Sequence, residues 1–214
     1  YVKTRFKRED PLFLPYVAFK EDFSEYHELD INQKASGFTE GCGTYGDPYL
    51  IGDGQQLTDL AKFLEEPRSV TGFNVNFCMK VTTDEEGQTG TMIIGQPEPS
   101  YHTNTLSASN YVDILFRWDG KQWSKVEGEQ NYPEVSVSVD DTFHNNAVLY
   151  LRNAYYQLKN DVSIPLSGST YKGIGSEKNP FCGVIDGAGR TVSFSGTRDN
   201  QTNFGGLVSY SCGS

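Results

Sequence analysis

GIGSEKNPFCGVIDGAGRTVSFSGTRDNQTNFGGLVSY, residues Gly173–Tyr210, is the stretch on which the fold turns. Two short apolar segments, Phe181–Ile185 and Thr191–Phe194, flank Asp186-Gly187-Ala188-Gly189. That tetrapeptide makes a tight turn, because Gly tolerates positive φ and Asp hydrogen-bonds the local backbone. A third apolar segment, Gly205–Tyr210, follows a polar loop. Taken by pattern alone, the first two segments are the arms of an ordinary hairpin.

A wider set of residues points elsewhere. Gly43-Thr44, Asp47-Pro48-Tyr49-Leu50-Ile51, Leu57, Leu60 and Ala61 resemble the opening segment of GLUG-type bacterial surface proteins. Tyr155–Val162, Ile174-Gly175, Pro180-Phe181, Gly183 and Asp186–Val192 resemble the segment that follows it in that family. Phe204-Gly205-Gly206-Leu207-Val208 is similar to the start of a GLUG repeat. The resemblance implies the start of a right-handed parallel β-helix on a large, exported, adhesin-like protein. Residues 68–153 match nothing in the motif and read as an insertion. The chain stops inside a repeat that should continue, so the expectation is a piece of a longer protein.

The resemblance divides the chain into four parts. Residues 1–40 form an extended or strand-like segment, 41–67 the solenoid opening with a capping helix, 68–153 an inserted antiparallel β subdomain, and 154–214 the first coils. In fold class the expectation is all-β. Four cysteines, Cys42, Cys78, Cys182 and Cys212, are too widely spaced for the local CxxC pairs of zinc and redox motifs. They allow two disulfides or buried free thiols. Opening and coil segments adjoin in the family, so the resemblance implies pairing among Cys42, Cys182 and Cys212.

Composition narrows the function classes. The 22 glycines, 13 tyrosines and 13 phenylalanines, with only 21% charged residues, describe a folded, β-rich chain and exclude a disordered one. A formal net charge of −10 repels phosphate backbones and argues against nucleic acid as a partner. Lys3-Thr4-Arg5-Phe6-Lys7-Arg8 is the longest basic run and reads as a solvated strand or linker. No apolar run reaches the ~20 residues that span a bilayer. Glu9 and Asp10 interrupt any leader pattern. Localisation at the bacterial cell surface therefore rests on the resemblance.

Along the chain, Tyr1–Arg8 alternates like a strand, and Pro11 and Pro15 forbid a helix between them. Glu21–Asp30 reads as an irregular acidic segment. Gly41-Cys42-Gly43-Thr44-Tyr45-Gly46 formally spells G-x-G-x-x-G, but Asp47-Pro48 blocks the helix that a dinucleotide site needs. These glycines instead turn the chain into a strand at Tyr49–Ile51. Asp53 and Gln56 form a capping box, and Leu57, Leu60, Ala61 and Leu64 recur at helical spacing. Pro67 ends that helix. Its apolar stripe should cover the open end of the coil stack.

The insertion reads as strands at Val70–Thr83, Thr91–Ile94, Val135–Val139 and Ala147–Leu151, with Asp84–Gly87 as a turn and Asp140–Asn146 as a loop. Residues 96–107 and 127–133 read as loops. Tyr111–Val126 is a hairpin about Asp119-Gly120. A two-residue turn there would pair Trp118 with Lys121, Phe116 with Trp123 and Ile114 with Lys125, all on one face. That aromatic face is either core or a partly exposed platform of the kind that anchors protein partners.

Catalytic patterns are missing: there is no G-x-S-x-G elbow and no H-E-x-x-H, and His27, His102 and His144 stand alone. Turn and cap roles explain Asp161 and Asp186, and Asp140-Asp141 lack the alternating oxygens of a calcium loop. The expectation is a binding domain that is not an enzyme and uses no cofactor or metal. Its candidate contact residues are Tyr101, His102, Tyr111, Arg117, Trp118, Trp123 and Tyr132. The family setting points to a host extracellular protein as partner, immunoglobulin or mucin first. A glycan-binding or polysaccharide-active module and a ligand-free stalk are the alternatives.

Overall fold

The computed structural model describes residues 37–83, 88–92, 111–126, 135–166, 171–196 and 206–212. The expectations for residues 1–36, 84–87, 96–107 and 127–133 lie outside these. Eleven strands and two α-helices make the described chain sheet-rich.

One sheet contains β1 (Gly37–Phe38), β3 (Phe73–Thr83), β4 (Gln88–Met92), β5 (Tyr111–Trp118), β6 (Trp123–Lys125) and β7 (Val135–Ser136). Its order is β6-β5-β3-β4-β7, with β1 parallel to β3. Period-two alternation builds it. Phe73, Val75, Phe77 and Met79 face Trp118, Phe116, Ile114 and Val112 in antiparallel register, and all eight are buried.

Two helices cover that face: α1 (Gly54–Glu65) and α2 (Asp141–Asn153). Phe63 of α1 stacks on Phe73 at 5.1 Å, and Phe143 of α2 meets Phe116 at 4.6 Å. As expected, α1 starts on a capping box: Asp53 accepts from the N–H groups of Gln55 and Gln56, and the Gln56 side chain accepts from Asp53 N–H. Leu57, Leu60, Ala61, Phe63 and Leu64 are its buried stripe.

α2 is a correction, since a loop and a strand were expected over Asp140–Leu151. Asp140 accepts from the N–H groups of Thr142 and Phe143, which makes it an N-cap. Phe143, Ala147, Tyr150 and Leu151 then fall on one helical face. The hairpin register is also corrected. Trp118 pairs with Trp123 and Phe116 with Lys125, because residues 119–122 form a four-residue turn. Asp119 accepts from Lys121 N–H and Gln122 N–H, and Gly120 takes φ +98°. The strand expected at Val135–Val139 is confined to Val135–Ser136; that expected at Thr91–Ile94 starts earlier, at Gln88, and is described as far as Met92, with residues 93–94 outside the described residues. Among its described residues the insertion is thus one helix-covered sheet.

The remaining described strands pair in parallel. β2 (Tyr49–Ile51), β8 (Tyr155–Leu158) and β10 (Val184–Asp186) form one ladder; β9 (Val162–Pro165) and β11 (Val192–Ser195) form another. β10 and β11 flank the Asp186–Gly189 turn but do not pair with each other. Each lies against a strand from the preceding pass of the chain. The turn is a corner: Asp186 Oδ1 accepts from Ala188 N–H, and Gly189 takes φ +73°. Ile174 and Phe181 make parallel bridges to Val208 and Ser211. At the start of α1, Gly54 presses on β9, where a Cβ would overlap the Ser163 carbonyl.

Two disulfides cross-link the chain. Cys42–Cys78 joins the loop before β2 to β3, and Cys182–Cys212 joins the segment before β10 to the bridge residues. By loop-closure entropy each is worth roughly 3–4 kcal/mol. Cys182–Cys212 falls within the set implied by the resemblance, whereas Cys42 finds its partner in the insertion. Disulfides of this kind fit an oxidising, non-cytoplasmic setting. No helix among the described residues is long and apolar enough to cross a membrane.

Candidate recognition surface

The expected contact residues do not form one surface. Tyr101, His102 and Tyr132 lie outside the described residues. Tyr111 opens β5 opposite Lys80. Arg117 is exposed and donates from Nε to Asn74 Oδ1 at 2.9 Å. Trp118 and Trp123 are only 2% and 4% exposed, which corrects the aromatic-platform expectation. Their rings face α1 and α2: both meet Phe63, and Trp118 stacks on His144 at 4.5 Å. The Trp118 indole N–H donates to Pro67 O at 2.9 Å, and that of Trp123 to His144 Nδ1 at 3.2 Å. Burial with both indole donors satisfied is how tryptophan serves a core.

Exposed aromatic surface is found instead beside the parallel ladder. Strand alternation points Tyr49, Tyr156 and Ile185 inward in one column and Ile51 with Leu158 in another. Leu50, Gln157 and Asp186 form an outer column in register, and Tyr155 and Val184 a second. Beside Tyr155 stands Tyr45, 70% exposed, its ring 5.6 Å away and edge-on. Val184 below is 41% exposed.

The loop that carries Tyr45 is held on both sides. Cys42 N–H and Thr44 N–H donate to Asp47 O, Asp47 N–H donates to Thr44 Oγ1, and Tyr155 N–H donates to Gly43 O. Gly43 takes φ +74° where the Tyr49 ring leaves no room for a Cβ. Glycine is therefore required for this close approach. Next to the aromatics, Gln157 Nε2 donates to Asp186 Oδ2 at 3.1 Å. The Ala188 N–H, then the Gln157 amide, hold the Asp186 carboxyl below its ordinary range, so it is charged at neutral pH. Lys159 pairs with Glu40 at 2.7 Å further along the same line. The face thus offers aromatic and aliphatic contact area bordered by fixed polar groups, on backbone anchored by a sheet.

Sequence reasoning missed Tyr45 and Tyr155 because the glycine turn at Gly41–Gly46 accounts for the first and the motif strand at Tyr155–Val162 for the second. Alternation around Tyr156 was the available signal: if Tyr156 faces in, Tyr155 and Gln157 face out.

Among the described residues, one group of side chains is close enough to hold a metal: Cys42, Cys78 and Asp113. Asp113 Oδ1 lies 3.1 Å from one sulfur and 3.2 Å from the other. The two sulfurs are joined to each other, so neither carries a proton nor offers a thiolate. No family model, curated protein or solved structure matches the chain.

Proposed function

We propose that the chain is a non-catalytic binding domain of an exported bacterial surface protein, and that it recognises a host extracellular protein. In this reading it begins a right-handed parallel β-helix of the GLUG type, with α1 against the first coil. A recurrent spacing supports that reading: Gln157 contacts Asp186 across 29 residues, Asp161 contacts Thr191 across 30, Cys182 joins Cys212 across 30, and Ile174 bridges Val208 at the longer spacing of 34. Parallel strands joined through a corner repeat at a fixed period in such stacks. Two disulfides suit the oxidising exterior that export would bring.

One observation carries the binding role: exposed Tyr45, set edge-on against half-buried Tyr155 on the outer face of the β2-β8-β10 ladder. Tyrosines on a rigid support make large contact area at low entropic cost. Their neighbours Gln157 and Asp186 also match sugar hydroxyls, which keeps a glycan-binding reading in view. The test is capture from human serum and intestinal secretions on the immobilised chain. Immunoglobulin chains or mucin should be retained, and a Tyr45→Ala/Tyr155→Ala variant of unchanged melting temperature should lose them. Retention that disappears after deglycosylation assigns the contact to glycan. Equal retention by the variant removes this face from consideration.

A further inference from the structure

A concave feature lies beside His144, which packs on both tryptophans of the hairpin. The C-terminal end of α1, the 3-10 turn Pro67–Ser69, one side of α2 and the 176–180 turn enclose a groove of about 580 Å³. That volume falls in the range that holds small ligands. Its lining includes Glu66, Arg68, His144, Asn145, Lys178 and Asn179, with Val148 and Leu149 as apolar floor.

His144 is the organised group in this groove. Its ring is stacked on Trp118, and its Nδ1 accepts the Trp123 indole proton. A neutral imidazole whose Nδ1 is an acceptor carries its own proton on Nε2. Burial first, and the Arg68 charge second, hold the His144 pKa below its ordinary value, while Asp141 opposes them. At neutral pH the ring is therefore a fixed N–H donor. A solvated surface histidine requires no such bracing by two indoles.

The charges beside it are unevenly matched. Two carboxylates line the groove, Glu65 and Glu66; Glu65 is engaged by Lys172 at 2.6 Å, whereas Arg68 and Lys178 have no ion pair among the described residues. A guanidinium fork, an ammonium and an imidazole N–H share one ligand chemistry, a planar oxyanion. One α1 carbonyl near the groove is already engaged twice: Leu64 O accepts from Ser176 Oγ and Asn179 Nδ2.

We propose that this groove is a binding site for a carboxylate, presented by an acidic sugar or by a peptide C-terminus, with Arg68, Lys178 and His144 as its donors. The site stands apart from the Tyr45–Tyr155 face and does not depend on it. Only two tryptophans occur in the chain, and both touch His144, so the two indole N–H signals of a ¹⁵N spectrum report on the groove. The probes are N-acetylneuraminic acid and its methyl ester, and an acetylated dipeptide as free acid and as amide. A saturable shift of the Trp123 indole signal is expected with a free acid and none with its neutral counterpart. Arg68→Gln should weaken that binding about tenfold or more while leaving the melting temperature in place. A response to the sugar alone assigns an acidic glycan, and to the peptide alone a chain terminus. The proposal is overturned if neither acid shifts the signal, if the neutral probes shift it equally, or if Arg68→Gln binds as before.

Discussion

The hairpin at Asp119 and the ladder at Tyr155 are both short runs of aromatic strand, yet they use their rings in opposite ways. In the antiparallel sheet, Trp118 and Trp123 turn toward Phe63, Phe143 and His144 beneath two helices. In the parallel ladder the inward places are taken by Tyr49, Tyr156 and Ile185, and Tyr155 is left facing out beside Tyr45. What differs is the cover. A sheet with helices on one face draws its bulkiest residues to that face. A stacked ladder fills its interior from alternate positions and leaves the others to solvent. Aromatic content alone therefore does not identify a contact surface; the layer opposite each face does.

That contrast is sharpened most by Trp118→Ala. The indole is buried and donates to Pro67 O, so the change should cost about 3–5 kcal/mol in chemical denaturation. A variant of full stability that has lost partner binding would reverse the assignment of core and surface. Next in size, Cys182→Ser/Cys212→Ser should lower stability by roughly 2–4 kcal/mol and raise hydrogen exchange in β10 and β11 before it does so in β3 and β5. Uniform loss of protection would mean that the two regions unfold as one unit.

Smaller effects separate the regions further. Asp53→Ala removes the acceptor for two N–H groups of α1, which lies against β9 and the antiparallel sheet alike. It should cost about 0.5–2 kcal/mol without changing either strand register. The smallest effect is one of pH. The folded pKa of His144 is lowered, so the unfolded chain takes up a proton first as pH falls through about 6.5. Stability attributable to His144 is full above that value, declines below it, and levels off beneath the folded pKa. His144→Gln should remove that part of the slope in melting temperature between pH 8 and 5.

Legibility in the sequence followed the range of the interactions. α1 could be read because Asp53, Gln56 and the Leu57/Leu60/Ala61/Leu64 spacing are local. α2 was missed although Asp140 caps it in the same way, because Asn145-Asn146 and the β-formers Val148 and Tyr150 masked the Phe143/Ala147/Leu151 spacing. The Asp119-Gly120 pair announced a turn, but its length was decided by the Asp119 side chain bridging to Gln122. The partners of β10 and β11 lie a whole pass of chain away, where spacing within Gly173–Tyr210 carries no information. The same holds for Cys42, whose partner is in the insertion. Of the candidate surface, Tyr45 and Tyr155 become visible only once Tyr156 is known to face inward.

Hydroxyl-radical footprinting tests the division of aromatic roles most directly, on the free chain and on the chain mixed with secretory immunoglobulin or mucin. Rapid oxidation of Tyr45 is expected in the free chain, with protection in the mixture, and little reaction at Trp118 or Trp123 in either. Fast oxidation of Trp118 and Trp123 that the partner suppresses, with Tyr45 unchanged, would contradict that division.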